Sequence, residues 1–128
     1  MSRTARVLMI IGSLSLLTAT QLSALGFHAL DAVLTAEGKE SWGWANQLQF
    51  YQSLGLVVLG LLAARIGDSR LLAAAGGLIT LGLFLFSGSI YLATTGILPG
   101  AGAVAPLGGG SFMLAWLLAA VAVYRAPR

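Results

Sequence analysis

Charged side chains interrupt this chain at few places, and long apolar runs fill the intervals. No formally charged residue lies between Arg6 and Asp31, between Glu40 and Arg65, or between Arg70 and Arg125, gaps of 24, 24 and 54 residues. A helix rising about 1.5 Å per residue needs roughly 20 residues to cross the ~30 Å hydrocarbon core of a bilayer. The first two gaps each hold one span. The third holds two, because Gly96-Ile97-Leu98-Pro99-Gly100-Ala101-Gly102 supplies turn residues near its middle. The pattern predicts spans at about 7–25, 45–64, 71–95 and 103–124, with an outer loop over 26–44. The fourth span starts near Pro106, since proline fits the first turn of a helix. The expected architecture is all-α: an integral membrane four-helix bundle forming a single transmembrane domain over residues 1–128. Arg3 and Arg6 ahead of an apolar run also resemble a signal peptide. The run is long, however, and Thr18, Thr20 and Gln21 precede no clean small-x-small cleavage site, so a retained helix is expected.

Composition agrees. The 128 residues are 58% hydrophobic and 9% charged, with a mean hydropathy of +0.91. A soluble domain carries about 25% charged residues. The absence of cysteine excludes disulfides, thiolate metal sites and cysteine nucleophiles, and a single histidine excludes a multi-histidine site within one chain. No cofactor and no metal are expected.

Charge sets the expected orientation. Arg3, Arg6, Arg65, Arg70, Arg125 and Arg128 fall on one side of the predicted spans, and only Lys39 falls on the other, beside Glu37 and Glu40. The positive-inside rule then places both termini in the cytoplasm of a bacterial inner membrane. This bias explains the net charge of +3, so no nucleic-acid partner is implied. In the first loop, Leu30, Val33 and Leu34 recur at helical spacing and suggest a short interfacial helix. Trp42 and Trp44 are expected to anchor the outer interface and Tyr124 the inner one.

Helices in lipid associate by close packing and by hydrogen bonds. Glycine supplies 17 residues, and small residues cluster at 73–77, 87–89 and 108–111. Polar residues within the spans should face the bundle interior. Asn46, Gln49, Gln52 and Ser53 are spaced mainly three or four apart on the second span. With the expected orientation, they share the outer half of the bundle with His28, Ser87, Ser89, Tyr91 and Ser111, while the inner half is nearly all aliphatic. The candidate polar cluster is therefore His28, Gln49, Gln52, Ser87, Ser89, Tyr91 and Ser111. It reads first as a structural hydrogen-bond network. Alternatives are a shallow outward pocket for a small ligand or lipid headgroup, and a contact surface for another subunit.

Reactive constellations are sparse. His28 and Asp31 are three apart and would serve an enzyme acting on lipids, but such a histidine more often caps a helix. Glu37 and Glu40 flank Lys39 in a polar loop, without the enclosing cleft that separates the pKa values of catalytic carboxylates. The glycine groups at 100–102 and 108–110 follow no strand and lack the residues of a phosphate loop. All four acids lie in loops, whereas coupled transporters and proton relays place one within a span. The stretch 96–110, with six glycines and two prolines, reads as a plain outer loop, with a re-entrant segment as the alternative.

Three segments resemble a known family. Gly26-Phe27-His28-Ala29-Leu30 is similar to the Gly-Ala-His-Ala-Leu segment of the uncharacterised membrane-protein family 423, the YgdD-like and transmembrane protein 256-like proteins. Leu85-Phe86-Ser87-Gly88-Ser89-Ile90-Tyr91 resembles its Leu-Phe-Ser-Gly-Ser-Leu-Tyr signature. Ala105-Pro106-Leu107-Gly108-Gly109, with Phe112 and Trp116, resembles its Thr-Pro-x-Gly-Gly…Phe…Gly-Trp stretch. The resemblance implies a small multi-helix membrane protein and supplies no catalytic residues. Members often carry a second histidine in span two, where this chain reads Phe50-Tyr51-Gln52-Ser53-Leu54-Gly55. A function needing two histidines is not implied here.

The expected function is that of a non-catalytic accessory or assembly subunit of a larger membrane complex, with the lipid bilayer and other membrane subunits as partners. The alternative is a small uncoupled channel or transporter, with Gln49, Gln52, Tyr91 and Ser87 lining an outer vestibule.

Overall fold

Helix ends in the computed structural model, which describes residues 1–128, follow local chemistry. Ser2, Thr35 and Ser69 each accept a hydrogen bond from a backbone N–H three residues on, at 3.0–3.1 Å. Each satisfies a donor that the first turn leaves free. They open α1 (Arg3–Ala29), α2 (Ala36–Ile66) and α3 (Arg70–Thr94). Pro99 opens α4 (Pro99–Tyr124) with a 3₁₀ turn that becomes α-helical at Ala105, so Pro106 lies in the first α turn. Gly67 closes α2 with φ of +92° and Gly96 follows α3 with φ of +78°, a conformation glycine adopts without strain. All four helices are long and apolar enough to cross a membrane.

The second helix begins at Ala36, nine residues before the expected 45. The polar stretch after Thr35 forms its first turns, and a separate interfacial helix is not present. Leu30 and Leu34 instead lie in a short turn, and only 30–35 links α1 to α2. At 31 residues, α2 measures ~46 Å, longer than the hydrocarbon core, so its charged first turns project beyond that core. The stretch 96–110 also shortens as a loop: residues 99–110 belong to α4.

The packing is that of two antiparallel hairpins. Within them α1 lies along α2 and α3 along α4, and α2 joins α3 at the centre. Ala5, Leu8, Leu56, Leu59, Leu72, Ile79, Ala115 and Ala119 form an apolar core toward the end that carries both termini, the terminal end. Small residues set the helix separation there. A Cβ at Gly12 would stand 2.8 Å from the Ser53 carbonyl oxygen, and one at Gly60 would stand 2.9 Å from that of Ala5. The outward faces carry Leu14, Leu17, Phe84, Leu114 and Leu117, a surface suited to lipid contact.

Candidate functional site

Polar groups concentrate toward the opposite end, the loop end, where α1, α2 and α3 meet. Trp42, Asn46, Gln49 and Ser53 recur at steps of four, three and four along α2 and so share one face. That face zips onto α1. The Trp42 indole N–H donates to the Leu22 carbonyl at 3.0 Å, and Asn46 Nδ2 donates to Ala19 O at 2.9 Å. Gln49 Nε2 donates to Ser15 O and to Thr18 Oγ1, both at 3.0 Å, and Ser53 donates to Ser15 Oγ at 2.6 Å. The third helix enters through Tyr91, whose hydroxyl donates to Gln49 Oε1 at 2.8 Å and accepts from Asn46 Nδ2 at 3.2 Å. Every buried side-chain nitrogen and oxygen has a partner within the protein.

Two wide helical turns aim these groups. In α3, residues Leu83–Gly88 form a π turn, which accommodates an extra residue and shifts the helix register. Within it, Ser87 donates to the Ala45 carbonyl of α2 at 2.7 Å, and Tyr91, four residues on, reaches Gln49. At the end of α1, Leu25–Ala29 form another, where Gly26 leaves room for the Trp42 ring. That ring also packs against Tyr91, with centroids 4.6 Å apart.

The seven candidate residues do not form one cluster. Gln49 and Tyr91 are joined directly, and Ser87 stands nearby on the same α2–α3 seam. Ser89 turns back to Leu85 O on its own helix at 2.6 Å, and Ser111 donates across to Leu78 O of α3 at 2.6 Å. Gln52 accepts from the Trp116 indole of α4 at 2.8 Å, because at 100° per residue it stands about 90° around α2 from the centre of the face that Trp42, Asn46, Gln49 and Ser53 share. His28 is exposed at the loop end of α1, and Asp31 pairs with Lys39 at 3.0 Å. No group of three or more His, Cys, Asp or Glu side chains stands close enough to hold a metal.

Trp42 departs most from expectation. Expected at the outer interface beside Trp44, it is instead 4% exposed and packed within the bundle, whereas Trp44 is 55% exposed and Tyr124 stands free. Two residues along a helix rotate Trp44 by about 200°, so the two indoles cannot share an environment. Ser15, Thr18 and Asn46 complete the network. Asn46 and Ser53 are legible as part of the polar face of span two. Ser15 and Thr18 are not, because α1 also carries Ser13, Thr20, Gln21 and Ser23, and nothing in the pattern singles out the two hydroxyls that face α2.

Beside the network lies a groove between α1 and α3. One cleft of about 400 Å³ is lined by Leu14, Ser15, Thr18, Gln49, Phe84 and Tyr91, among others. A second of about 450 Å³ continues it toward the terminal end and shares Ile11 and Thr80.

A family model described as "Protein of unknown function (DUF423)" matches residues 22–109, which include the Gly26–Leu30 and Leu85–Tyr91 segments. The UPF0382 membrane protein YwdK of Bacillus subtilis is 32% identical over 120 residues, covering 94% of this chain and 98% of its own. The UPF0382 membrane protein SERP0230 of Staphylococcus epidermidis is also 32% identical, over 94% of this chain and 97% of its own. The corresponding protein SSP2132 of Staphylococcus saprophyticus is 29% identical over the same share of this chain. No solved structure matches. With four candidate spans, a family-model match over more than half its length and full-length relatives named as membrane proteins, this chain belongs to the DUF423 (UPF0382) family of multi-pass membrane proteins.

Proposed function

We propose that the protein is a non-catalytic accessory or assembly subunit of a larger complex in a bacterial inner membrane. The observation that carries this reading is the closure of the polar network. Gln49, Asn46, Ser53 and Tyr91 direct their hydrogen bonds to α1 and to each other, so they hold helices together, and of their polar side-chain atoms only Asn46 Oδ1 is without a protein partner. The same closure speaks against a vestibule, as does the placement of Gln52 on the α4 side. On α4, Gly109 and Gly110 have open space where a Cβ would stand. Bare backbone on a lipid-facing helix suits close approach by a neighbouring helix.

Native-gel migration after mild detergent extraction, with mass spectrometry of whatever co-migrates, tests the proposal. The expected result is migration in a large complex at fixed stoichiometry, from which Gly110→Leu releases an intact, folded chain. Migration as a monomer or small homo-oligomer would sink the subunit reading and direct effort to flux assays in liposomes.

The proposed orientation puts both termini in the cytoplasm. Six basic residues at the terminal end support it, against Lys39 alone at the other. Because the chain lacks cysteine, single-cysteine probes are unambiguous. An impermeant maleimide should label Glu37→Cys on intact spheroplasts and Ala126→Cys only after permeabilisation. The reverse pattern would invert the topology.

A further inference from the structure

The groove between α1 and α3 has a polar floor that is already satisfied and a charged mouth that is not. Along it, Thr80 Oγ1 donates to Gly76 O at 2.8 Å, and Gln49 and Thr18 bond each other at 3.0 Å. Its middle therefore offers hydrocarbon-compatible walls, with Val7, Leu8, Ile11 and Leu14 from α1 facing Leu83 and Phe84 from α3. Small residues make it concave. Ala73 and Gly77 replace the ridge of side chains that a leucine-rich helix would raise there, while Gly76 lets the Leu8 side chain of α1 pack against α3 as the groove's floor.

Charge is confined to the terminal mouth. Arg3 lines the cleft, and Arg70 begins the α3 stripe that continues through Ala73 and Gly77. No acidic residue lines either cleft. The one ion pair in the protein, Lys39 with Asp31, is at the other end, and Asp68 of the α2–α3 turn accepts from Ser2 Oγ at 2.6 Å. The Arg3 guanidinium thus has no carboxylate partner. From Arg3 to Leu14 the apolar walls run ~16 Å along α1, close to the ~15 Å occupied by the chains of one leaflet. An occupant must combine a hydrocarbon tail of leaflet depth with an anionic group at the membrane surface.

We propose that this groove is a lipid site: it seats one acyl chain of an anionic phospholipid, with the headgroup phosphate held at the terminal mouth by Arg3. Guanidinium and phosphate form charge-assisted, bidentate hydrogen bonds, and neutral zwitterionic lipids compete poorly because their own ammonium group opposes the arginine. The tail gains packing contacts along the groove that bulk lipid does not fix.

The test uses the full-length protein in nanodiscs of equal parts phosphatidylglycerol and phosphatidylcholine, with native mass spectrometry of the lipids retained on release. Wild type should retain phosphatidylglycerol over phosphatidylcholine by roughly fivefold, the factor that about 1 kcal/mol of attraction between one arginine and a net negative headgroup supplies, since both lipids offer Arg3 a phosphate and only phosphatidylcholine adds an opposing cation. Arg3→Gln should abolish that preference. Gly77→Leu should remove the retained lipid of either kind, because a Cβ at Gly77 meets open space and the side chain fills the groove without displacing backbone. Ala73→Leu, on the same stripe, is the second filling variant, and circular dichroism confirms that each variant folds. Equal retention of both lipids by wild type overturns the proposal. So does an unchanged lipid pattern in the filled variants, or a homodimer that they dissociate without altering bound lipid.

Discussion

Gly108→Ala should destabilise the protein by about 2 kcal/mol, whereas Gly109→Ala and Gly110→Ala should leave stability unchanged or raise it by up to about 1 kcal/mol. The three residues are consecutive and chemically identical, so the difference lies entirely in what each faces. A Cβ at Gly108 would stand 2.5 Å from the backbone nitrogen of Phe86 and 2.9 Å from the carbonyl carbon of Leu85. Backbone cannot rotate aside as a side chain can. The new methyl forces α4 away from the π turn of α3, and Ser111, one helical turn on, is pulled from the Leu78 carbonyl it now bonds at 2.6 Å. At Gly109 and Gly110 a Cβ meets nothing within 4 Å, so only the helix-propensity gain remains. Reversible unfolding in mixed micelles at rising dodecyl sulfate, followed by far-ultraviolet circular dichroism, measures all three. Equal effects at the three positions would mean that α4 does not approach α3 at Gly108.

That contrast shows what sequence reading reaches and where it stops. The count of helices follows from charge spacing, because a charged side chain in the hydrocarbon core is costly and its absence over 24 residues is informative by itself. The polar face of α2 is legible for the same reason. Which neighbour each polar group meets is not legible. Gln49 and Gln52 sit one turn apart in the sequence pattern, yet one faces α1 and α3 while the other faces Trp116 of α4. The division depends on how the hairpins dock, and the π turn of α3, which brings Ser87 and Tyr91 onto α2, has no signature in composition. The burial of Trp42 is not legible either, because an indole next to a polar segment suits an interface equally well. Its burial depends on Gly26, 16 residues away, where a Cβ would collide with the ring. His28, prominent as the lone histidine, makes no side-chain hydrogen bond to the network, whereas Ser15, unremarked in an apolar helix, bonds two of its members.

Gln49→Leu should cost about 2 kcal/mol, because its amide joins three helices through hydrogen bonds with Ser15, Thr18 and Tyr91, and each interhelical bond in a membrane is worth roughly 0.6 to 1.7 kcal/mol. Leucine has nearly the same volume, so no cavity contributes. Nor does its apolar character compensate, since lipid is as apolar as the bundle interior and burial there gives no transfer gain. The groups left behind fare unequally. Thr18 keeps its bond to Ser15 O at 3.0 Å, and Tyr91 still accepts from Asn46, but the Tyr91 proton loses its acceptor on Gln49. Tyr91→Phe alone should cost about 1 kcal/mol, and adding it to Gln49→Leu should cost little more, a coupling of about 1 kcal/mol between the two sites. Gln52→Leu is the control: its bond to Trp116 is exposed, so the expected change is within about 0.5 kcal/mol. The same unfolding titration reads the whole set. A cost at Gln49 no greater than at Gln52 would transfer the joining of α1 to α2 to Gly12 and Gly60, whose close backbone approaches would then hold the hairpin without the polar zip.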